Sequence, residues 1–304
     1  MNIKEKIHPI DLEFHGTFLQ IFSFLVETSE GPVIIETGPH SSNKNLVAGI
    51  EKLGYEESDI KHVFLSHVHL DHAGGAWCWA EQNAKIYVHP EGYRHIHDPA
   101  KLLASAQRIY GQMMDFLWGT LKPIPAENLQ IVNDLEKVII GDCTFKAIHS
   151  PGHAKHHTAW QLENVLFTGD VAAISTEQKV ILAPCPPPDI NIEEWISSID
   201  KCLAIQEVDT YYLTHGSEVT NIKEHMHKLK EILNAQAAFL KPYFENDTPF
   251  KEIYKPFGKF LSEGLLAQGI PADKAIDYEN ANPSVANVHG IMRYWKKKSE
   301  GAFG

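Results

Sequence analysis

Cysteine is scarce in this 304-residue chain: Cys78, Cys143, Cys185 and Cys202 are scattered, with no C-x-x-C pair. That excludes a disulfide framework and predicts free thiols and a cytoplasmic protein. Basic side chains are also short. The 27 Lys and Arg stand against 39 Asp and Glu, a formal charge of -12. A chain this acidic has little with which to neutralise phosphates, so no nucleic-acid partner is expected and an anionic membrane surface is disfavoured. No apolar run approaches the ~20 residues of a membrane-crossing helix. The opening MNIKEKIHPIDLEF has neither an apolar h-region nor a cleavage site, so no signal peptide is expected.

What the chain has in quantity is apolar surface and histidine. It is 43% hydrophobic with 14 Phe, 10 Tyr and 6 Trp, enough for a large core, and it carries 18 His. Its length suggests one large domain or a domain with an appendage. TFLQIFSFLVET and GPVIIETGPH read as two strands turning at Glu30-Gly31-Pro32, followed by a helix over 43–53 with Leu46, Val47, Ile50 and Leu53 at helical spacing. KHVFLSH and AKIYVHP are short strands. The stretch 100–121 is expected to be helical and rich in large apolar groups. EKVIIGDCTFKAIHS gives two strands around a turn, HHTAWQLENVLFTGD two more, and VDTYYLTHGSE a last one. Between these, the proline-rich APCPPPDIN leads into a helix capped by Asn191 with Glu194 three residues on. From 221 to 304 the periodicity is helical, with a last helix starting at Asn282-Pro283 and ending in Lys296, Lys297 and Lys298.

The chemistry lies where strands run out. LSHVHLDHAGG puts His67, His69, Asp71 and His72 within six residues after the apolar run VFL, and His153, Asp170 and His215 each follow a later strand. Loops at one edge of a rigid sheet are the usual place for a site. In an extended segment His67 and His69 project to the same side. Five imidazoles and two carboxylates suit Zn, Mn or Fe. Seven such groups are too many for one tetrahedral ion, and they suit two divalent ions sharing a carboxylate.

SHVHLDHAGG, SPGHAKHHTAW, LFTGD and LTHGSE, in that order, resemble the ligand motifs of the metallo-β-lactamase fold superfamily over roughly Ile21 to Ser217. The resemblance implies an α/β fold, a four-layer αββα sandwich with the site on one edge. Here that would mean a metal-binding domain over 1–220 and a helical C-terminal extension over 221–304 shaping the substrate site. By motif, His67, His69 and His153 would hold one metal and Asp71, His72 and His215 the other, with Asp170 bridging. Two Zn ions are expected, with Fe or Mn as alternatives. Glu36 stands where the family has the Asp of an Asp-x-Gly turn, and His157 is expected to orient a ligand rather than bind. His156 has no counterpart. Metal lowers the pKa of water to about 7, giving hydroxide for attack on a carbonyl or phosphoryl centre, with Asp71 as proton acceptor or relay.

The chain is therefore expected to be a dinuclear hydrolase of an ester, thioester or lactone, similar to the glyoxalase II and acyl-homoserine lactonase branches. RYWKKK is only a weak glutathione motif, and Tyr93 or Tyr110 would have to serve as the lactonase tyrosine. A mononuclear iron persulfide dioxygenase using His67, His153 and Asp170 is the second reading, and a non-catalytic metal-binding module the third. The expected partner is a small-molecule substrate, and a homodimer is compatible with the sequence. His89, His95 and His97 are assigned to the surface or rim in an irregular segment, and Lys296 to Lys298 to a solvated helix end. His289 is assigned to packing, and 100–121 to core or to a lid over the cleft.

Overall fold

Apolar residues alternate along the strands, and the two halves of that alternation end up in different cores. The strands that do this are defined in a computed structural model that describes residues 2–16, 21–175, 180–216, 218–275, 278–279 and 282–303. The expected strand start at 17–20 and Ser217 of the last motif lie outside the described residues.

Strands β1 (Ile7–Asp11), β2 (Phe22–Thr28), β3 (Gly31–Ile35), β4 (His62–Phe64), β5 (Lys85–Val88) and β6 (Leu129–Ile131) form one six-stranded sheet in that spatial order. Strands β7 (Lys137–Ile140), β8 (Cys143–His149), β9 (Thr158–Leu162) and β10 (Val165–Phe167) belong to the second sheet. A small pair, β11 (Ile174–Ser175) and β12 (Ile181–Leu182), intervenes before β13 (Thr210–Tyr212) and β14 (Glu218–Val219) complete it, in the order β14-β13-β10-β9-β8-β7. β3 to β6 run parallel, as do β10 and β13.

Period-2 patterning sets which face each residue buries. Phe24, Val26, Val33, Ile35 and Phe64 of the first sheet meet Phe145, Trp160, Leu162, Val165 and Phe167 of the second in a shared inner core. Their neighbours Leu25, Ile34 and Val63 point outward under helices α1 (Asn43–Lys52), α2 (Leu70–Ala73), α3 (Ala76–Glu81), α4 (Pro90–His97), α5 (Ala100–Tyr110) and α6 (Met114–Trp118). On the other side Ala159, Leu166 and Tyr211 point under α7 (Ile192–Leu203), α8 (Ile222–Glu245), α9 (Phe250–Ala267) and α10 (Ser284–Ser299). The result is the expected αββα sandwich. The helices after 221 share one apolar cluster with α7 and the second sheet.

Several local expectations change. β1 and β6 were not foreseen: β1 carries Pro9, which an edge strand tolerates, and β6 has three residues of which two are exposed. The segment after His89 is a helix, not irregular, with His89 as its cap and Pro90 at its first position. The stretch 100–121 is broken at Gly111, whose φ of +51° suits glycine, and α6 ends at Trp118. The last helix starts at Ser284, and Asn282 accepts a bond from the Asn287 side chain instead of capping. Its lysine end is not simply solvated: Lys297 reaches the Pro188 carbonyl at 2.8 Å and Lys298 pairs with Glu193. Arg293 binds the same carbonyl, so RYWKKK clamps the chain's own proline-rich loop. No helix among the described residues is long and apolar enough to cross a membrane.

Candidate metal centre

The ends of β4, β10 and β13 carry the site. His67 follows Phe64, Asp170 follows Phe167 and His215 follows Tyr212, each three residues past its strand, with His153 just after β8. The two sheets thus contribute from the same edge, and they are tied there: Thr158 N–H donates to the Ser66 carbonyl at 2.7 Å and Trp160 Nε1 to that of Leu65 at 2.9 Å.

Glycine lets the loops approach. A Cβ on Gly152 would lie 2.2 Å from the Trp195 backbone, so only glycine allows the chain to bring His153 against the Trp195 ring, 5.2 Å between centroids. A Cβ on Gly169 would meet Ser66 at 2.5 Å and His157 Nε2 at 2.8 Å, just before Asp170.

The donor atoms converge. His67 Nε2 is 2.9 Å from His69 Nδ1, which is 3.1 Å from His153 Nε2. His215 Nε2 is 3.1 Å from His72 Nε2 and 3.3 Å from Asp71 Oδ2. Between the two groups lies Asp170, with Oδ2 3.3 Å from His153 Nε2 and Oδ1 3.3 Å from His72 Nε2 and 3.5 Å from His215 Nε2. Three sets have ligand atoms all within 4.8 Å of one another: His67, His69 and His153; His67, His72 and Asp170; and Asp71, His72 and His215.

Groups behind the ring nitrogens set their direction. Glu36 Oε2 faces His72 Nδ1 at 3.2 Å, Ser66 Oγ faces His67 Nδ1 at 2.9 Å, and the Pro184 carbonyl faces His153 Nδ1 at 3.2 Å. With those nitrogens occupied, the Nε2 atoms of His67, His72 and His153 are left facing one another and Asp170, whose buried Oδ1 has no hydrogen-bond partner. Lone pairs and a carboxylate crowded in this way repel unless a cation lies between them, so the residues fit metal.

The titration directions agree. Burial, then the neighbouring imidazoles, hold His67 well below the usual imidazole pKa, and burial takes His153 down to about 4. Both are therefore neutral, as ligands must be. Burial also opposes charge on His72, but Asp170, Asp71 and Glu36 around it outweigh that and hold its pKa well above the usual value. Burial would raise Asp170, and His72 and His215 more than reverse it, keeping the carboxylate ionised. This point attracts positive charge strongly.

The metallo-beta-lactamase superfamily model matches residues 16–215, about two thirds of the chain. The chain belongs to that superfamily. The metallo-beta-lactamase fold-containing protein ST1585 of Sulfurisphaera tokodaii is 26% identical over 210 residues, covering 67% of this chain and 75% of that protein. An N-acyl homoserine lactonase of a Bacillus species is 26% identical over 182 residues, covering 51% of this chain and 64% of the lactonase. The solved metallo-beta-lactamase family protein TTHA1429 of Thermus thermophilus superposes with a TM-score of 0.69 over 99% of this chain and 95% of its own, at 18% identity.

Beyond the seven, the superfamily motif residue His157 does not point into the cluster. Its Nε2 accepts the Asp170 N–H at 2.9 Å and its Nδ1 meets Ser150 Oγ at 2.8 Å, so it fixes the backbone that presents Asp170. Glu36, at a φ of +65°, takes the Ser66 N–H on its other oxygen at 2.9 Å. His156 is buried, with Nδ1 facing the Val68 N–H. His89 and His97 serve α4, through the Glu91 N–H and the Ile124 carbonyl, and His95 is on the same helix near His156. His289 bonds Tyr254 and stacks on Phe250. Of the two tyrosines, Tyr93 packs at a tilt beside His97. Tyr110 lies within reach of the Asp71 charge, which adds to burial in pushing its phenol up. Sequence reading missed Ser66 and the Pro184 carbonyl. Ser66 adjoins the motif and was open to inference, whereas a backbone carbonyl leaves no residue signature.

Proposed function

We propose that the chain is a dinuclear metal-dependent hydrolase acting on a small ester, thioester or lactone. One observation carries the reading: Asp170 lies between two complete ligand groups, within 3.5 Å of nitrogens from both. A single ion held by His67, His153 and Asp170 would leave Asp71, His72 and His215 without purpose, yet these are also gathered within ligand distance of one another. In this reading His67, His69 and His153 would hold one ion and Asp71, His72 and His215 the other, with Asp170 available to both. Zinc suits the mixed nitrogen and oxygen set, and all four cysteines are free, as expected of a protein working in the cytoplasm.

Divalent ions bound here would supply an activated water near neutral pH and an electrophile for a substrate oxygen. The chain's own contribution is alignment. Glu36, Ser66 and Pro184 fix the tautomers of His72, His67 and His153, and His157 fixes the Asp170 backbone. Asp71 is the part-exposed carboxylate of the cluster, at 26%, and so is placed to take a proton from an incoming water. The lactonase relatives support the lactone class, and Tyr110, whose phenol feels the Asp71 charge, is the tyrosine suited to meet a lactone oxygen. Ile109, Met113 and Phe116 are exposed on the segment around Tyr110, apolar surface of the kind that suits an acyl chain.

Elemental analysis of the purified chain, run beside hydrolysis of aryl esters, thioesters and lactones, tests this. Two zinc ions per chain with hydrolysis is the expected result. One iron with oxygen uptake on a persulfide overturns it.

A further inference from the structure

A cavity lies among the C-terminal helices. It measures about 270 Å³ and is walled by Ile181 and Leu182 of β12, Ile232 of α8, and Phe260 and Leu265 of α9. None of the metal-centre residues lines it. Its volume falls near the lower end, ~300 Å³, of small-molecule sites.

Two buried carboxamides also line this cavity: Gln236, 1% exposed, and Asn282, 4% exposed. The direction of the Asn282 amide follows from its partners. Cys185 N–H can only donate, so the atom of Asn287 facing it is Oδ1. Asn287 Nδ2 then donates to Asn282 at 2.7 Å, which makes the receiving atom Asn282 Oδ1 and turns its Nδ2 away. Gln236 turns Oε1 toward Cys185 Sγ at 3.8 Å. The Nδ2 of Asn282 and the Nε2 of Gln236 donate to no protein group among the described residues. Neither nitrogen is sealed from the cavity, so two donors without a protein partner stand on an otherwise largely apolar wall, where an acceptor from outside the chain can meet them.

Charge narrows the class. Lys228, the cation among the described lining residues, is paired with Glu231 at 3.1 Å, and Glu279 adds a second carboxylate. An anion would meet net negative charge. We propose that this cavity binds a small, neutral, largely apolar molecule carrying one carbonyl-type acceptor, of the class of a medium-chain amide, at a site separate from the metal centre. The apolar body packs on β12 and α9, and the carbonyl takes hydrogen bonds from Gln236 and Asn282. The segment that forms the wall continues to Pro184, whose carbonyl orients His153, so an occupant adjoins the support of the metal centre without touching it.

Titration calorimetry of the metal-loaded full chain with heptanamide tests the site. One saturable site per chain is expected. Ala235→Phe and Ala267→Phe, at exposed positions on the cavity walls formed by α8 and α9, should each weaken binding at least ~10-fold by filling the space, with circular dichroism and metal content unchanged. Gln236→Leu should weaken it about 5-fold, the worth of one hydrogen bond. Heptanoate should bind at least ~10-fold more weakly than the amide. No saturable binding, binding that survives both Phe variants, or heptanoate binding as well as heptanamide would each overturn the proposal.

Discussion

Glu36 and His72 are joined through one buried contact, 3.2 Å from Oε2 to Nδ1, while the other Glu36 oxygen receives the Ser66 N–H at 2.9 Å. Both partners are donors, so the position needs two acceptor oxygens. Glutamine supplies one acceptor and one donor and must fail one of them. Glu36→Gln should therefore lower metal affinity ~10- to 100-fold in a chelator competition, although it changes no proposed ligand. Unchanged affinity would show that Glu36 does not orient His72.

Asp170 and His157 separate a ligand from its support. Asp170 lies within 3.5 Å of nitrogens on both sides of the cluster, whereas the His157 ring nitrogens are taken up by the Asp170 backbone and Ser150. Asp170→Ala should lose metal from both groups. His157→Ala should lose ~10- to 100-fold in affinity while still filling at high metal concentration. Equal metal content of the two variants under metal-limited conditions contradicts the bridging role.

His89 makes stability depend on pH away from the cluster. It caps α4 by accepting the Glu91 N–H at 3.0 Å and lies against His149, with ring centroids 3.9 Å apart. Burial, then His149, push its pKa from 6.5 down to about 4. The folded state therefore binds this proton less readily than the unfolded chain. The stability contributed by neutral His89 is full above pH 6.5 and is lost as pH falls toward 4. His89→Asn keeps a capping side chain that does not titrate. It should narrow the loss of unfolding free energy between pH 7 and pH 5 by about 1–2 kcal/mol in urea titrations. An identical loss in both proteins would assign the acid sensitivity elsewhere.

These sites differ in how visible they were from the sequence. The strands with unbroken apolar runs, such as Phe24-Leu25-Val26 and Val33-Ile34-Ile35, were legible because both their faces are buried in different cores. The metal-grade residues were legible because spacing after a strand is local information, and the fold places His67, Asp170 and His215 at the same distance past three strand ends. β1 was hidden by Pro9 and stands only because Ile7 to Asp11 pair with β2 along a sheet edge. α4 was hidden by its His, Gly and Pro content, although Pro90 after a capping side chain was a start signal. The Pro184 carbonyl and the Asn287–Asn282 relay depend on contacts across the chain, which no local pattern encodes.

Asp71 decides the reaction class. It reaches His215 at 3.3 Å and His72 at 3.8 Å, and its ion pairs are with these two rather than with the His67, His69 and His153 group. Burial would raise its carboxyl, but His72 and His215 beside it more than offset that and hold it well below the usual range, so Asp71 is ionised at any working pH. Asn at this position keeps the shape and removes the charge. In a dinuclear hydrolase Asp71→Asn should drop metal content from two ions toward one and lower kcat/KM for the best ester, thioester or lactone ~100-fold or more, within the range of general acid–base and electrostatic losses. The wild-type profile should rise with an apparent pKa near 7, the range of metal-activated water. In a mononuclear oxygenase the substituted residue lies outside the working site, so iron content and oxygen uptake should persist. Full metal content together with full hydrolytic activity in Asp71→Asn rules out the dinuclear reading, because the second group would then be neither filled nor needed.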